Sequence, residues 1–192
     1  MKYHPIFAPL ALPFISHMKI KNLIPLLLCT FSHQALSAAN FTTDFVELGI
    51  QTKPNGISLE GGRDINDSLA LLGGVSSNAD LDEDNYDVYI GPQIYGPINQ
   101  AIDLNTQLLL HYNKGSYAPG KSKTFIEFNA GLRAWITQRV EANVMVGANG
   151  EHSIFTFGAR FHATDKAAFS ISSKNNGIYG PQLQLGVRYN FN

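Results

Sequence analysis

The sequence predicts an all-β chain, an antiparallel up-and-down transmembrane β-barrel of eight to ten strands. Three observations carry that expectation. After residue 40 the apolar residues recur with period two, as they do when a strand throws successive side chains to opposite faces. The stretches that keep this period are each close to the ~9–11 residues a tilted strand needs to cross a bilayer. The chain is 44% hydrophobic but only 15% charged, a balance that suits walls with one face on lipid and the other on a polar lumen.

In chain order, Val46, Leu48 and Ile50 alternate with Glu47, Gly49 and Gln51. Shorter runs follow at 57–64 and 68–76. Tyr86, Val88, Ile90 and Ile94 alternate with Asp87, Tyr89, Gly91 and Gln93. Ile102, Leu104, Leu108, Leu110 and Tyr112 alternate with Asp103, Asn105, Gln107 and His111. Ile126, Phe128, Ala130 and Leu132 alternate with Glu127, Asn129, Gly131 and Arg133; Val140, Ala142, Val144 and Val146 with Glu141, Asn143 and Gly147. Phe155, Phe157, Ala159 and Phe161 alternate with Thr156, Gly158 and Arg160, and another short run covers 167–173. The clearest case is the last: from Gln182 to Phe191 every odd position is apolar or aromatic and every even one polar or glycine. Turn chemistry separates the runs, as at Pro54-Asn55-Gly56, Asn149-Gly150 and Thr164-Asp165.

Residues 1–39 are expected to be a signal peptide, with Met1 and Met18 both open as starts. Met18-Lys19-Ile20-Lys21 is a basic head, Leu23 to Phe31 a short apolar core, and Ser37-Ala38-Ala39 a small-residue cleavage site before Asn40. The core is too short to span a bilayer as a helix. Cys29 lies within it and is the chain's one cysteine, so residues 40–192 have neither a disulfide nor a cysteine metal site. Three of the 14 basic residues and none of the 15 acidic ones lie before residue 40, leaving a mature net charge of −4. Nothing in that charge suits nucleic acid.

Loop lengths give an independent check on the barrel. If both termini lie on the periplasmic side, the connections near 65–68, 96–101, 137–139 and 163–167 are periplasmic and short. Those at 76–85, 113–123 and 174–180 are extracellular and long, while those at 53–56 and 149–152, also on the outer side, are short. The polar faces collect residues that suit a filled, narrow lumen: Glu47, Glu60, Asp103, Glu127 and Glu141 against Arg133, Arg160 and Arg188. Aromatic residues near strand ends suit interfacial girdles, with Tyr86, Tyr112, Phe125 and Phe155 on the outer side and Phe161, Phe169, Tyr189 and Phe191 on the periplasmic side.

The ending Val187-Arg188-Tyr189-Asn190-Phe191-Asn192 resembles the C-terminal assembly signal of outer-membrane proteins. That resemblance implies Val187, Tyr189 and Phe191 as its apolar face and the barrel-assembly machinery as a partner. Asp67-Ser68-Leu69-Ala70-Leu71 and Asp82-Glu83-Asp84-Asn85-Tyr86-Asp87-Val88-Tyr89 are similar to segments of the YfaZ-like outer-membrane family. This implies a place in the Gram-negative cell envelope rather than an activity.

Sites of chemistry are sparse. Asp80, Asp82 and Asp84 begin like a calcium loop, but Asn85 stands at the glycine position and Gly91 at that of the bidentate glutamate. A solvated acidic loop is the expectation, with no metal and no cofactor. Lys114, Lys121 and Lys123 lie in an outer loop and either meet lipopolysaccharide phosphates or stay solvated. Among the histidines after residue 40, His111, His152 and His162, His111 faces the lumen near Asp103 or Glu127 and is the one candidate for catalysis. A nucleophile needs a base and a third, orienting group, and no such set is readable.

The functional expectation is therefore a non-enzymatic integral protein of the bacterial outer membrane, in contact with its lipid and lipopolysaccharide. Its role is structural or interaction-mediating, or that of a minor, porin-like narrow pore. Two alternatives stand beside it: a barrel enzyme acting on lipid A or peptides, and a soluble periplasmic lipocalin-like carrier.

Overall fold

The computed structural model describes residues 41–191 except 53–54, 79–84, 116–120, 176 and 178–179. The expected signal peptide, both candidate starts, Cys29 and the acidic stretch 80–84 lie outside the described residues.

Period-two alternation becomes ten strands among the described residues: β1 (Phe45–Gln51), β2 (Gly56–Asn66), β3 (Leu69–Asn78), β4 (Tyr86–Asn99), β5 (Ile102–Lys114), β6 (Ser122–Thr137), β7 (Val140–Ala148), β8 (Ser153–His162), β9 (Ala167–Asn175) and β10 (Pro181–Asn190). Each pairs antiparallel with its neighbours in sequence, and β1 closes on β10 with Leu48 opposite Val187 and Glu47 opposite Arg188. The strand count thus falls at the top of the expected range. Closure leaves no unpaired edge for hydrocarbon to desolvate.

The described chain ends, Phe41 and Phe191, and four short connections share one end of the barrel. These connections, 67–68, 100–101, 138–139 and 163–166, contrast with 79–85 and 115–121 at the other end. One device starts all four short turns. The side-chain oxygens of Asn66, Asn99, Thr137 and Thr164 accept the backbone N–H two residues on, at 2.9, 2.9, 3.2 and 3.3 Å. Such bonds offer the backbone a turn in place of a continued ladder.

Outside, the wall is apolar. Leu48, Ile57, Ile94, Ile126, Ile136 and Val187 are each more than half exposed. A continuous surface of this kind far exceeds the apolar patches that water-soluble monomers carry. No helix among the described residues is long and apolar enough to cross a membrane; here the strands do so. Tyr86 and Tyr112 meet at 6.1 Å near the loop end, and Phe161 stands opposite Phe169 near the terminal end, both in girdle positions. Phe125 departs from the expectation. It lies on the same face of β6 as Glu127, lines the interior and stacks on His111. An aromatic near a strand end carries no mark of which face it occupies; its parity with Glu127 was the available signal.

Candidate functional site: the barrel lumen

An axial cavity of about 260 Å³ is lined by residues from all ten strands. Its lining is dominated by side chains that hydrogen-bond: Gln93, Gln107, Asn129 and Asn143 at mid-height, and Gln51, Asn113, Asn149 and Gln182 toward the loop end. Asn129 donates to Gln107, which donates to Gln93, each at 3.4 Å. A wall of neutral amides holds water without requiring counter-ions.

The structure places all eight charged residues expected in the lumen on the inner face. It sorts them into two groups at different heights. Toward the termini lies a floor of three arginines. Arg133 contacts Asp103 at 3.3 Å, Arg160 contacts Glu141 at 2.8 Å, and Arg188 contacts Glu47 at 2.6 Å. Arg160 also reaches Glu47 at 3.7 Å, and His162 stands 3.2 Å from Glu141. Ser170 donates a further hydrogen bond to Glu47. Each guanidinium is thus within reach of a carboxylate, the condition under which buried charge persists. Register accounts for the pairs: Glu47 faces Arg188 across β1–β10, Asp103 faces Arg133 across β5–β6, and Glu141 faces Arg160 across β7–β8.

Toward the loops lies a chamber richer in acid. Glu127 accepts hydrogen bonds from Asn129 at 2.8 Å and Lys174 at 3.3 Å. His111 Nδ1 lies 2.8 Å from Asp87, and Nε2 lies 3.5 Å from Glu127. The imidazole is sandwiched between Tyr89 and Phe125, with centroids at 5.1 and 4.9 Å. Tyr89 donates to Glu60. It reaches across β3 because Gly74 leaves the space: a Cβ there would lie 2.6 Å from the tyrosine ring. Glu60 faces Glu47 directly across β1–β2, yet the two turn to different partners, Tyr89 and the arginine floor.

Sequence reasoning missed several members of this lumen. Asp87 and Tyr89 stood on the expected polar face but outside the expected charge network. Lys174 fell beyond the short run read at 167–173, because β9 continues to Asn175. Leu72, Leu109, Met145 and Ile154 are buried, which a purely polar lumen did not anticipate. The three loop lysines separate: Lys123 pairs with Glu151, Lys114 lies over the Tyr86 ring at 5.9 Å, and Lys121 precedes β6. His111 has two acidic neighbours, but no serine or threonine hydroxyl is hydrogen-bonded to it among the contacts described. Among the described residues no group of His, Cys, Asp and Glu is arranged to hold a metal ion.

Comparison with known proteins places the fold. The KdgM porin superposes with a TM-score of 0.50 at 6% identity, over 77% of this chain and 99% of that one. The NanC porin matches at a TM-score of 0.40 and 8% identity over 77% and 98% of the two chains. A designed transmembrane β-barrel matches at 0.39 and 14% over 76% and 90%. No family model matches the chain. No curated protein matches it.

Proposed function

We propose that the chain is a narrow, non-enzymatic pore of the bacterial outer membrane, with a preference for small cations. The observation that carries the reading is the axial cavity, walled by hydrogen-bonding side chains from all ten strands. A barrel serving only as a scaffold has no need of such a lining. The fold shared with the KdgM porin supports the same class.

Charge argues for cations. In the floor three arginines meet Glu47, Asp103 and Glu141, so that layer is neutral as a whole. In the chamber three carboxylates, Glu60, Asp87 and Glu127, stand against one lysine, Lys174, which contacts Glu127, so acid is in excess there. A confined surplus of one sign within low-dielectric walls attracts counter-ions. The exposed apolar wall suits lipid, and the Tyr189–Phe191 end of the chain suits handling by a barrel-assembly machinery. Lys114 and Lys123, at the loop end, suit contact with lipopolysaccharide phosphate.

The test is planar-bilayer recording on protein purified from outer-membrane fractions, with a gel-shift check of folding. Small discrete currents with a zero-current potential on the cation side in a salt gradient are expected. A folded barrel silent under every condition, both as the full chain and with Phe41→Ala, overturns the pore.

A further inference from the structure

The four residues before β1 form no strand, yet they are held in place. Asp44 is the anchor: its carboxylate accepts the Asp64 N–H at 2.7 Å, and its carbonyl accepts that of Phe191 at 3.0 Å. Thr42 Oγ1 accepts the Asp44 N–H at 3.1 Å, closing a side-chain turn that redirects the chain. Thr43 is 1% exposed and Phe41 7% exposed.

Phe41 finds its cover on the far wall. Its ring stacks on Trp135 at 5.3 Å with an interplanar angle of 11°, and the Arg133 guanidinium lies 4.7 Å from its centroid. Both partners belong to β6, which is the fifth strand from β1 in either direction round the barrel. The segment therefore crosses the mouth. Four residues extend at most ~14 Å, so the crossing is completed by the large side chains that meet there. Trp135 continues the row to His162 at 4.8 Å, beneath the arginine floor. The cavity lining includes Thr43, Arg133 and Arg188 but neither Phe41, Trp135 nor His162, so this aromatic row lies beyond the end of the void.

We infer that Phe41–Thr43 is a built-in plug that closes the terminal mouth of the lumen by docking Phe41 on Trp135. As a gate on conduction it rests on the pore reading; as a closure of the mouth it does not. The expected cleavage before Asn40 makes Phe41 the second residue of the mature chain, so the plug is a free end tethered at Asp44. One aromatic stack with a cation over it is a modest contact, which permits release as well as closure.

Trp135 is the chain's one tryptophan, so it reports on the plug without a label. The full chain, exported with its own leader and purified from membranes, would be compared with Phe41→Ala and with Gly62→Ala. The second variant leaves the tail sequence unchanged: a Cβ at Gly62 would meet the Thr43 carbonyl and the Phe45 ring and push the base of the tail away from the wall. Heat-modifiable migration confirms that each barrel has formed. Expected is a severalfold rise in acrylamide quenching of Trp135 in both variants, with longer or larger openings in bilayers. Quenching unchanged in both folded variants overturns the plug. Quenching raised with conducting channels unaltered overturns the gate. Quenching raised in barrels that all stay silent supports the closure and overturns the pore.

Discussion

The floor and the chamber of this lumen are built from the same residue classes and solve opposite problems. In the floor every arginine has a carboxylate across its own strand pair, and the layer is neutral, tight and capped by Phe41 and Trp135. In the chamber the acids outnumber the cations, and their partners are phenol, imidazole and amide as much as lysine. Cross-strand pairing of opposite charge gives a layer that resists change. Leaving charge partly to neutral donors gives a field that acts on a passing ion. One end of the barrel is therefore organised for closure and the other for attraction.

The comparison is broken most forcefully at Glu141, which is 4% exposed and holds Arg160 and His162 together. Glu141→Ala leaves Arg160 with only the longer contact to Glu47. Removing one partner of a buried ion pair costs about 3–5 kcal/mol, and unfolding of the detergent-solubilised barrel in denaturant should show a loss of that size. A change below 1 kcal/mol, the level of exposed pairs, would mean that the floor is wet and not a packed layer.

Gly74→Val tests the chamber at its most crowded point. The new side chain meets the Tyr89 ring and separates it from Glu60. Overpacking of this kind costs about 1–3 kcal/mol. The freed Glu60 should at the same time raise cation preference in bilayer recordings. Lost stability with unchanged selectivity would remove Glu60 from the ion path.

Glu127→Gln sharpens the contrast further. The amide preserves shape and hydrogen bonding to Asn129 while deleting one of the chamber's three carboxylate charges. One charge at 4 Å is worth about 1 kcal/mol in water, so the cation-to-anion permeability ratio should fall about fivefold. Asp103→Asn, in the neutral floor beyond the cavity lining, should move the ratio less. Equal shifts from both would mean that the lumen acts through its total charge and not through the chamber.

The outline of this division was legible before any coordinates. Parity along each strand placed Glu47, Asp103, Glu127, Arg133, Glu141, Arg160 and Arg188 on one face, because a strand has only two. Register was not legible, and register sets Glu47 opposite both Arg188 and Glu60, after which opposite charge turns it to the arginine. The plug was not legible either. Phe41 precedes the first alternating run, and its partner Trp135 lies 94 positions along the chain, a contact that only barrel closure creates. Lys174 escaped because its strand ends in Ser-Ser-Lys-Asn, a composition that reads as loop and becomes strand through pairing with β8 and β10.

The smallest effect is expected outside both regions, at the loop-end pair of Lys123 and Glu151. Hydrogen bonding from Lys123 lowers the Glu151 carboxyl below its ordinary value of 4.5, against a weaker opposing effect of burial. A carboxyl lowered in the folded state contributes stability that is fully present above its unfolded value. That contribution is lost as pH falls through the folded value, so the window lies at and below pH 4.5. Glu151 is exposed, and solvent and salt screen the pair. Lys123→Ala should therefore lower the unfolding midpoint only slightly at neutral pH and low salt, and not at high salt. It should flatten the acid limb slightly at low salt and not at high salt. A clear loss at neutral pH would instead make the loop-end pair a structural clasp, and the closed, rigid end of the barrel would no longer be confined to the side of the termini.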